Sequence, residues 1–203
     1  MDNRRPLAVR SAAWAGAAAR ALTERGVTPN AISMASVGFA ALAFGALAWS
    51  AETGALADAG LYLIAAAAIQ ARLICNLLDG MVAVEGGRSA PDGPFWNEAP
   101  DRLADLLILW GAGLAIHAPA LGLFAAAMAI LTAYLRELGR AEGLGADFSG
   151  PMAKQHRMAV LTVALVLSAP GLPLIEPGLW IVALGGALTA ALRARRIVRR
   201  LRD

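Results

Sequence analysis

Amide and carboxylate side chains recur at helical spacing on both sides of a glycine-rich stretch between Asn76 and Asp105. At about 100° per residue, Arg72, Asn76, Asp79 and Ala83 share one stripe of a helix. Asn97, Asp101 and Asp105 follow at i, i+4 and i+8 and project along one face of the next helix. Gly80, beside Asp79, leaves room for a bulky ligand or another helix. Two facing rows of carboxylate and amide oxygens make a hard-cation site, suited to magnesium or manganese. Such groups at the ends of apolar helices cost free energy unless they hold ions or partners, so they are functional-site candidates.

The elements that carry them are apolar. Of 203 residues, 58% are hydrophobic and 16% charged, and the mean hydropathy is +0.58. A soluble chain carries about a quarter charged residues. The composition predicts an all-α polytopic membrane protein, one domain over residues 1–203. Six spans are expected, at about 30–50, 56–84, 101–117, 120–139, 158–168 and 174–191. An N-terminal amphipathic helix is expected before them over residues 6–24, within a juxtamembrane segment 1–27, with Leu7, Trp14, Ala18, Ala21 and Leu22 on its apolar face. The same segment also reads as a cap helix packed on the bundle. The opening residues are too polar for a cleavable signal peptide. Cys75, the single cysteine, excludes an internal disulfide and reads as packing.

All 18 lysines and arginines fall near the N-terminus, in 72–102, in 136–157 or in the C-terminal tail. None falls in the short connections near 51–55, 117–120 and 169–176. The positive-inside rule therefore places both termini and the polar motif on the cytoplasmic side, and an even number of spans agrees. Cytoplasmic loops and anionic headgroups account for the basic balance, with no nucleic acid as partner. The pattern fits a bacterial inner membrane.

The Asn76–Asp101 stretch resembles the signature of the CDP-alcohol phosphatidyltransferases, Asp-x2-Asp-Gly-x2-Ala-Arg-x8-Gly-x3-Asp-x3-Asp. Its positions fall on Asn76, Asp79, Gly80, Ala83, Val84, Gly93, Asn97 and Asp101. Every gap is kept, and three identities depart: Asn76, Val84 and Asn97. Thr28-Pro29-Asn30 resembles the family's Thr-Pro-Asn segment near the nucleotide. Tyr134, Arg136, Arg140 and Glu142 resemble its later Tyr-x-Arg-rich segment.

The resemblance implies transfer of a phosphatidyl group from CDP-diacylglycerol to a polar alcohol, with release of CMP. It implies magnesium or manganese at Asp79, Asn76, Asn97 and Asp101, two ions in the full motif, with Asp101 as base. It assigns substrate contacts to Asn30, Arg72, Gly80, Ala83, Arg88, Gly93, Arg136, Arg140, Lys154 and Arg157, and a supporting role to Asp105. The basic residues over 136–157 lean toward a phosphorylated acceptor. A homodimer is also implied. With two asparagines where the signature has aspartates, weaker metal binding, or one tightly held ion, is expected. Val84 removes a phosphate-binding cation that Arg88 or Arg72 could replace.

Plainer readings stand beside these. Asn97 and Asn30 read as helix N-caps, with Pro100 in a first turn. Arg72 reads as a partner of Asp79, and Asp105 as the partner of a basic side chain. The glycines read as turns, the 136–157 cations as headgroup contacts, and the arginine tail from Arg193 as a topological anchor. Two rival classes remain: a catalytically silent membrane protein that binds nucleotide-lipid or metal, and a small transporter. A transporter favours polar groups near mid-bilayer in several helices, whereas here they cluster at one side.

Overall fold

A computed structural model of the chain describes residues 12–84 and 91–202. Leu7 and Arg88, singled out above, lie outside these residues. The described residues form seven helices: α1 (Ala13–Glu24), α2 (Pro29–Ser50), α3 (Ala55–Val84), α4 (Gly93–Ala115), α5 (Pro119–Ala141), α6 (Lys154–Ser168) and α7 (Ile175–Arg202).

Four of them, α2, α3, α5 and α7, are long and apolar enough to cross a membrane, and the chain is a multi-pass membrane protein. The other two helices at expected spans differ for local reasons. α4 carries Glu98, Asp101, Arg102 and Asp105, and α6 has 15 residues.

The helices alternate in direction. α2 packs along both α3 and α4, α4 along α5, and α5 along α7, while α6 lies against α3 and α7. Ile69, Ile108, Leu109, Leu161, Leu165 and Leu179 are fully enclosed between them. Apolar solvent gives helices little hydrophobic reason to associate, so close backbone approach matters. At the α4–α5 crossing, a Cβ on Gly122 would lie 2.5 Å from the Leu109 carbonyl oxygen, and one on Gly113 2.8 Å from the Gly122 Cα. Alternation gathers the start of α2, the end of α3, the starts of α4 and α6 and the ends of α5 and α7 at one end of the bundle.

The boundaries refine three expectations. α4 starts at Gly93, not near Asp101: Asp92 occupies the N-cap position, Pro94 lies in the first turn and Pro100 is inside the helix. Asn97 is therefore a helical residue and not a cap. α2 is capped by Thr28, whose hydroxyl accepts from the Ala31 N–H at 3.2 Å, so Asn30 is free of that role. α7 runs on to Arg202, because arginine is a good helix former and its polar face needs no apolar partner.

α1 buries Ala15 and Ala19, with Ala18 and Leu22 packed beside them on Ile32, Leu77, Leu78, Met81 and Val82. That stripe keeps Ala18 and Leu22 of the expected face but leaves Trp14 50% exposed. The small alanines allow α1 to approach α3 closely, as a cap helix does.

Candidate functional site

The polar end of the bundle holds three buried carboxylates. Asp79, on the last turns of α3, is 6% exposed. Its Oδ2 accepts from the Ser33 hydroxyl of α2 at 2.7 Å. Its Oδ1 is buried and has no hydrogen-bond partner among the described residues.

Asp101, on α4, is treated differently. Its Oδ1 accepts from Arg72 Nη2 at 3.1 Å and from Asn76 Nδ2 at 2.8 Å. Its Oδ2 accepts from the Lys154 ammonium at the start of α6, and the Arg102 guanidinium lies 3.8 Å from the same oxygen. Asp105, one turn deeper and fully buried, accepts from Arg72 Nη2 at 3.0 Å and from Arg157 Nη2. Arg72 is also fully buried. It pairs with Asp101 and Asp105, not with Asp79, and so ties α3 to α4. Removing one partner of such a buried set leaves an uncompensated charge, so the cluster holds together as a unit.

A small open cleft adjoins the cluster, lined by Arg102, Thr132, Arg136, Phe148, Lys154, Arg157 and Arg193 among others. Arg136 donates to Glu98 and, at 2.9 Å, to Glu137. Its guanidinium lies 5.6 Å from the Phe148 ring centroid. Arg193 is buried and donates to the Ser149 and Thr132 carbonyl oxygens at 3.1 and 2.6 Å, which fixes the segment between α5 and α6 over the cleft. Gly150 (φ +126°) lets that segment pass close to α7: a Cβ there would lie 2.4 Å from Thr189. Asp147 anchors the same segment. Burial raises its carboxyl, but the Ser149 hydroxyl and N–H and the Arg196 guanidinium more than offset this and hold it below the ordinary carboxylate value.

The residues singled out from sequence divide clearly. Arg72, Asn76, Asp79, Asp101, Asp105, Lys154 and Arg157 converge, with Arg136 across the cleft. Gly80 and Ala83 sit half-buried beside Asp79 on α3, and Gly93 opens α4. Asn97 is exposed one turn before Asp101. Asn30 lies at the same end, its Nδ2 3.4 Å from Asp92 Oδ2. Arg140 is exposed, bonded to Glu137 at 3.4 Å and outside the cleft lining.

Sequence reasoning passed over Ser33, Arg102 and Thr132, and set Arg193 aside as an anchor. A serine inside an apolar helix was a readable signal. Arg193 was hidden in a run of arginines.

Among the described residues, no group of three His, Cys, Asp or Glu side chains could hold a metal ion. The donor set still fits one ion. Asp79 Oδ1 is an orphaned buried carboxylate oxygen. Magnesium is commonly bound through one or two carboxylates, with water and substrate phosphates completing the shell.

The geometry defines a helical membrane domain with an acidic motif closing on a basic cleft, and in fold as well as motif the chain resembles the CDP-alcohol phosphatidyltransferases. The particular likeness is to phosphatidylinositol phosphate synthases. The structure of that enzyme from Mycobacterium tuberculosis, PgsA1, in complex with manganese and citrate superposes with a TM-score of 0.70 at 20% identity, covering 90% of this chain and 88% of that one. The same enzyme with CDP-DAG bound gives a TM-score of 0.70 at 20% identity over 92% and 94%. The phosphatidylinositol phosphate synthase of Streptomyces avermitilis is 30% identical over 128 residues, 56% of this chain. The chain spans about half the length of that curated relative, 52%. No family model matches the chain.

Proposed function

We propose that the chain is a metal-dependent membrane enzyme that transfers a phosphatidyl group from CDP-diacylglycerol to a polar alcohol and releases CMP. The observation that carries this reading is the convergence of Asn76, Asp79 and Asp101 with a basic cleft at one end of an apolar bundle. A lipid nucleotide needs that combination: acyl chains remain among apolar helices while the pyrophosphate meets cations.

In this reading Asp79, together with the Asn76 and Asn97 amides, would hold magnesium or manganese with the pyrophosphate. The ion would neutralise charge on the pyrophosphate and on departing CMP. The acceptor oxygen forms a bond to the lipid-side phosphorus, the bond from that phosphorus to the CMP oxygen breaks, and the hydroxyl proton passes to Asp101. A carboxylate within hydrogen-bond reach of the hydroxyl can take that proton. Asp105 positions Arg72 and Arg157, and through Arg72 it positions Asp101. Asn30 and Gly80 lie where the nucleotide would approach.

Arg102, Arg136 and Arg157 present guanidinium donors in one cleft, a setting that favours a phosphorylated polyol as acceptor. The names of the relatives, phosphatidylinositol phosphate synthases, favour the same acceptor class. The alternation of α2 to α7 supports six spans. The placement of lysines and arginines supports a site facing the cytoplasm of a bacterial inner membrane. A homodimer rests on the resemblance alone.

A second reading has its own observation. Asn76 and Asn97 carry no charge, and Asp101 is already occupied by Arg72, Asn76 and Lys154. A catalytically silent protein that binds nucleotide-lipid or metal fits those facts. CMP release from CDP-diacylglycerol by the purified protein, with magnesium or manganese and a panel of alcohols including inositol phosphate, separates the two. Metal-dependent release supports the enzyme; nucleotide binding without release under every condition establishes the silent protein.

A further inference from the structure

The carboxylates of the cluster are unequally free. Asp105 has one guanidinium on each oxygen, from Arg72 and Arg157. Asp101 has Arg72 and Asn76 on Oδ1 and Lys154 on Oδ2. Among the described residues, Asp79 Oδ1 alone of these six oxygens lacks a partner. A second divalent ion bridging Asp79 and Asp101 would have to displace Lys154 from Asp101 Oδ2.

Lys154 is not placed there by accident of a flexible side chain. Its side chain is 18% exposed, it opens α6, and it lines the cleft with Arg157 while bonded to Asp101. It acts electrostatically on both Asp79 and Asp101. An ammonium is a compact point charge with three donors and no acceptor. It can donate to a carboxylate on one side and to a phosphate oxygen on the other. Sites that displace phosphate esters commonly use two metal ions, about 3.5–4 Å apart, to clamp the attacking and leaving oxygens. Here the second cationic position is already filled by the chain itself.

We propose that this site binds one divalent ion per chain, at Asp79, and that the Lys154 ammonium, held on Asp101, is the second cation facing the substrate pyrophosphate. The inference rests on the reading of the cleft as a CDP-lipid site. Asn76 and Asn97 then follow as matched changes: with Lys154 in place, two further negative charges have no second ion to hold. The charge that the cluster carries is adjusted to one divalent ion plus one lysine.

The test is a manganese titration of the purified full-length protein in nanodiscs, with CDP present, followed by electron paramagnetic resonance. One bound Mn2+ per chain, without spin coupling between neighbouring ions, is the expected result. Two coupled ions per chain, or none, overturn the proposal, and this measurement needs no variant. Lys154→Gln should allow a second Mn2+ to bind and should lower kcat/KM for the CDP-lipid about 100-fold, the scale of losing one preorganised charge donor. Lys154→Arg should keep the count at one. A Lys154→Gln protein that still folds, binds a single Mn2+ and turns over as wild type does would sink the role of the lysine. Two ions together with CMP release would overturn this inference and leave the proposed function standing; one ion without CMP release would do the reverse.

Discussion

Asp79 and the Asp101–Asp105 pair lie in one buried cluster yet are held in opposite ways. Asp79 has a neutral hydroxyl on one oxygen and, among the described residues, no hydrogen-bond partner on the other. Asp101 and Asp105 are bound by Arg72, Arg157 and Lys154 on every oxygen. A carboxylate left open in a buried place is poised for an ion or ligand, because an unpaired buried charge is costly. Carboxylates already bound by cations have a further use in the proposed reaction: besides the proton that Asp101 takes, they fix guanidinium and ammonium groups where an incoming phosphate can use them. The same residue type thus serves as a ligand at one point and as a holder of cations a few ångströms away.

The comparison breaks most visibly at Asp101. Asp101→Ala should reduce CMP release by about 10³-fold or more, in the upper range for loss of a positioned proton acceptor. A thermal melt run in parallel separates loss of chemistry from loss of fold. Turnover close to wild type would remove Asp101 from the reaction. Asp105 tests the other half of the pair, through stability. Asp105→Asn leaves Arg157 without its buried counter-charge and Arg72 with Asp101 alone, and the expected loss is about 3–5 kcal/mol. A melting temperature equal to wild type would mean that the two guanidiniums find other partners. The asparagines come next. Asn76→Asp with Asn97→Asp adds charge next to Asp101, on α3 and α4, and the magnesium concentration for half-maximal activity should fall about 10–100-fold. An unchanged requirement would mean that neither position faces the ion.

The sequence announced one side of this contrast better than the other. The stripe of Asn76 and Asp79, and the row of Asp101 and Asp105, were legible because helical spacing decides which side chains share a face. Of the six apolar segments expected, four are helices long and apolar enough to cross a membrane, and the segment ends were not legible. Pro100 looked like the start of α4, yet the helix begins at Gly93 because Asp92 and Pro94 supply the stop-and-start chemistry upstream. The pairing of charges was out of reach. Nothing in spacing says that Lys154, 53 residues from Asp101, lands on its carboxylate, or that Arg72 bonds Asp101 and Asp105 instead of Asp79. Those contacts depend on how α6 and α4 are placed against α3, a tertiary fact. Arg193 shows the same limit: six arginines in a tail look alike until one of them is buried between Thr132 and Ser149.

Ser33 carries the smallest and most discriminating prediction. Its hydroxyl is the only side-chain donor that the described residues offer to Asp79, and it comes from α2, the helix that packs on both motif helices. If Asp79 is the ion-binding carboxylate, the serine serves to fix which oxygen stays open. Ser33→Ala should then weaken Mn2+ binding about tenfold, the low end for losing a group that orients a metal ligand. It should lower stability by about 1.5 kcal/mol, as for a lost charged hydrogen bond. Asp101 and its cations do not contact Ser33, so the effect should vanish when the same change is made in an Asp79→Ala background. Full additivity of the two changes in Mn2+ affinity would show that Ser33 acts somewhere other than through Asp79.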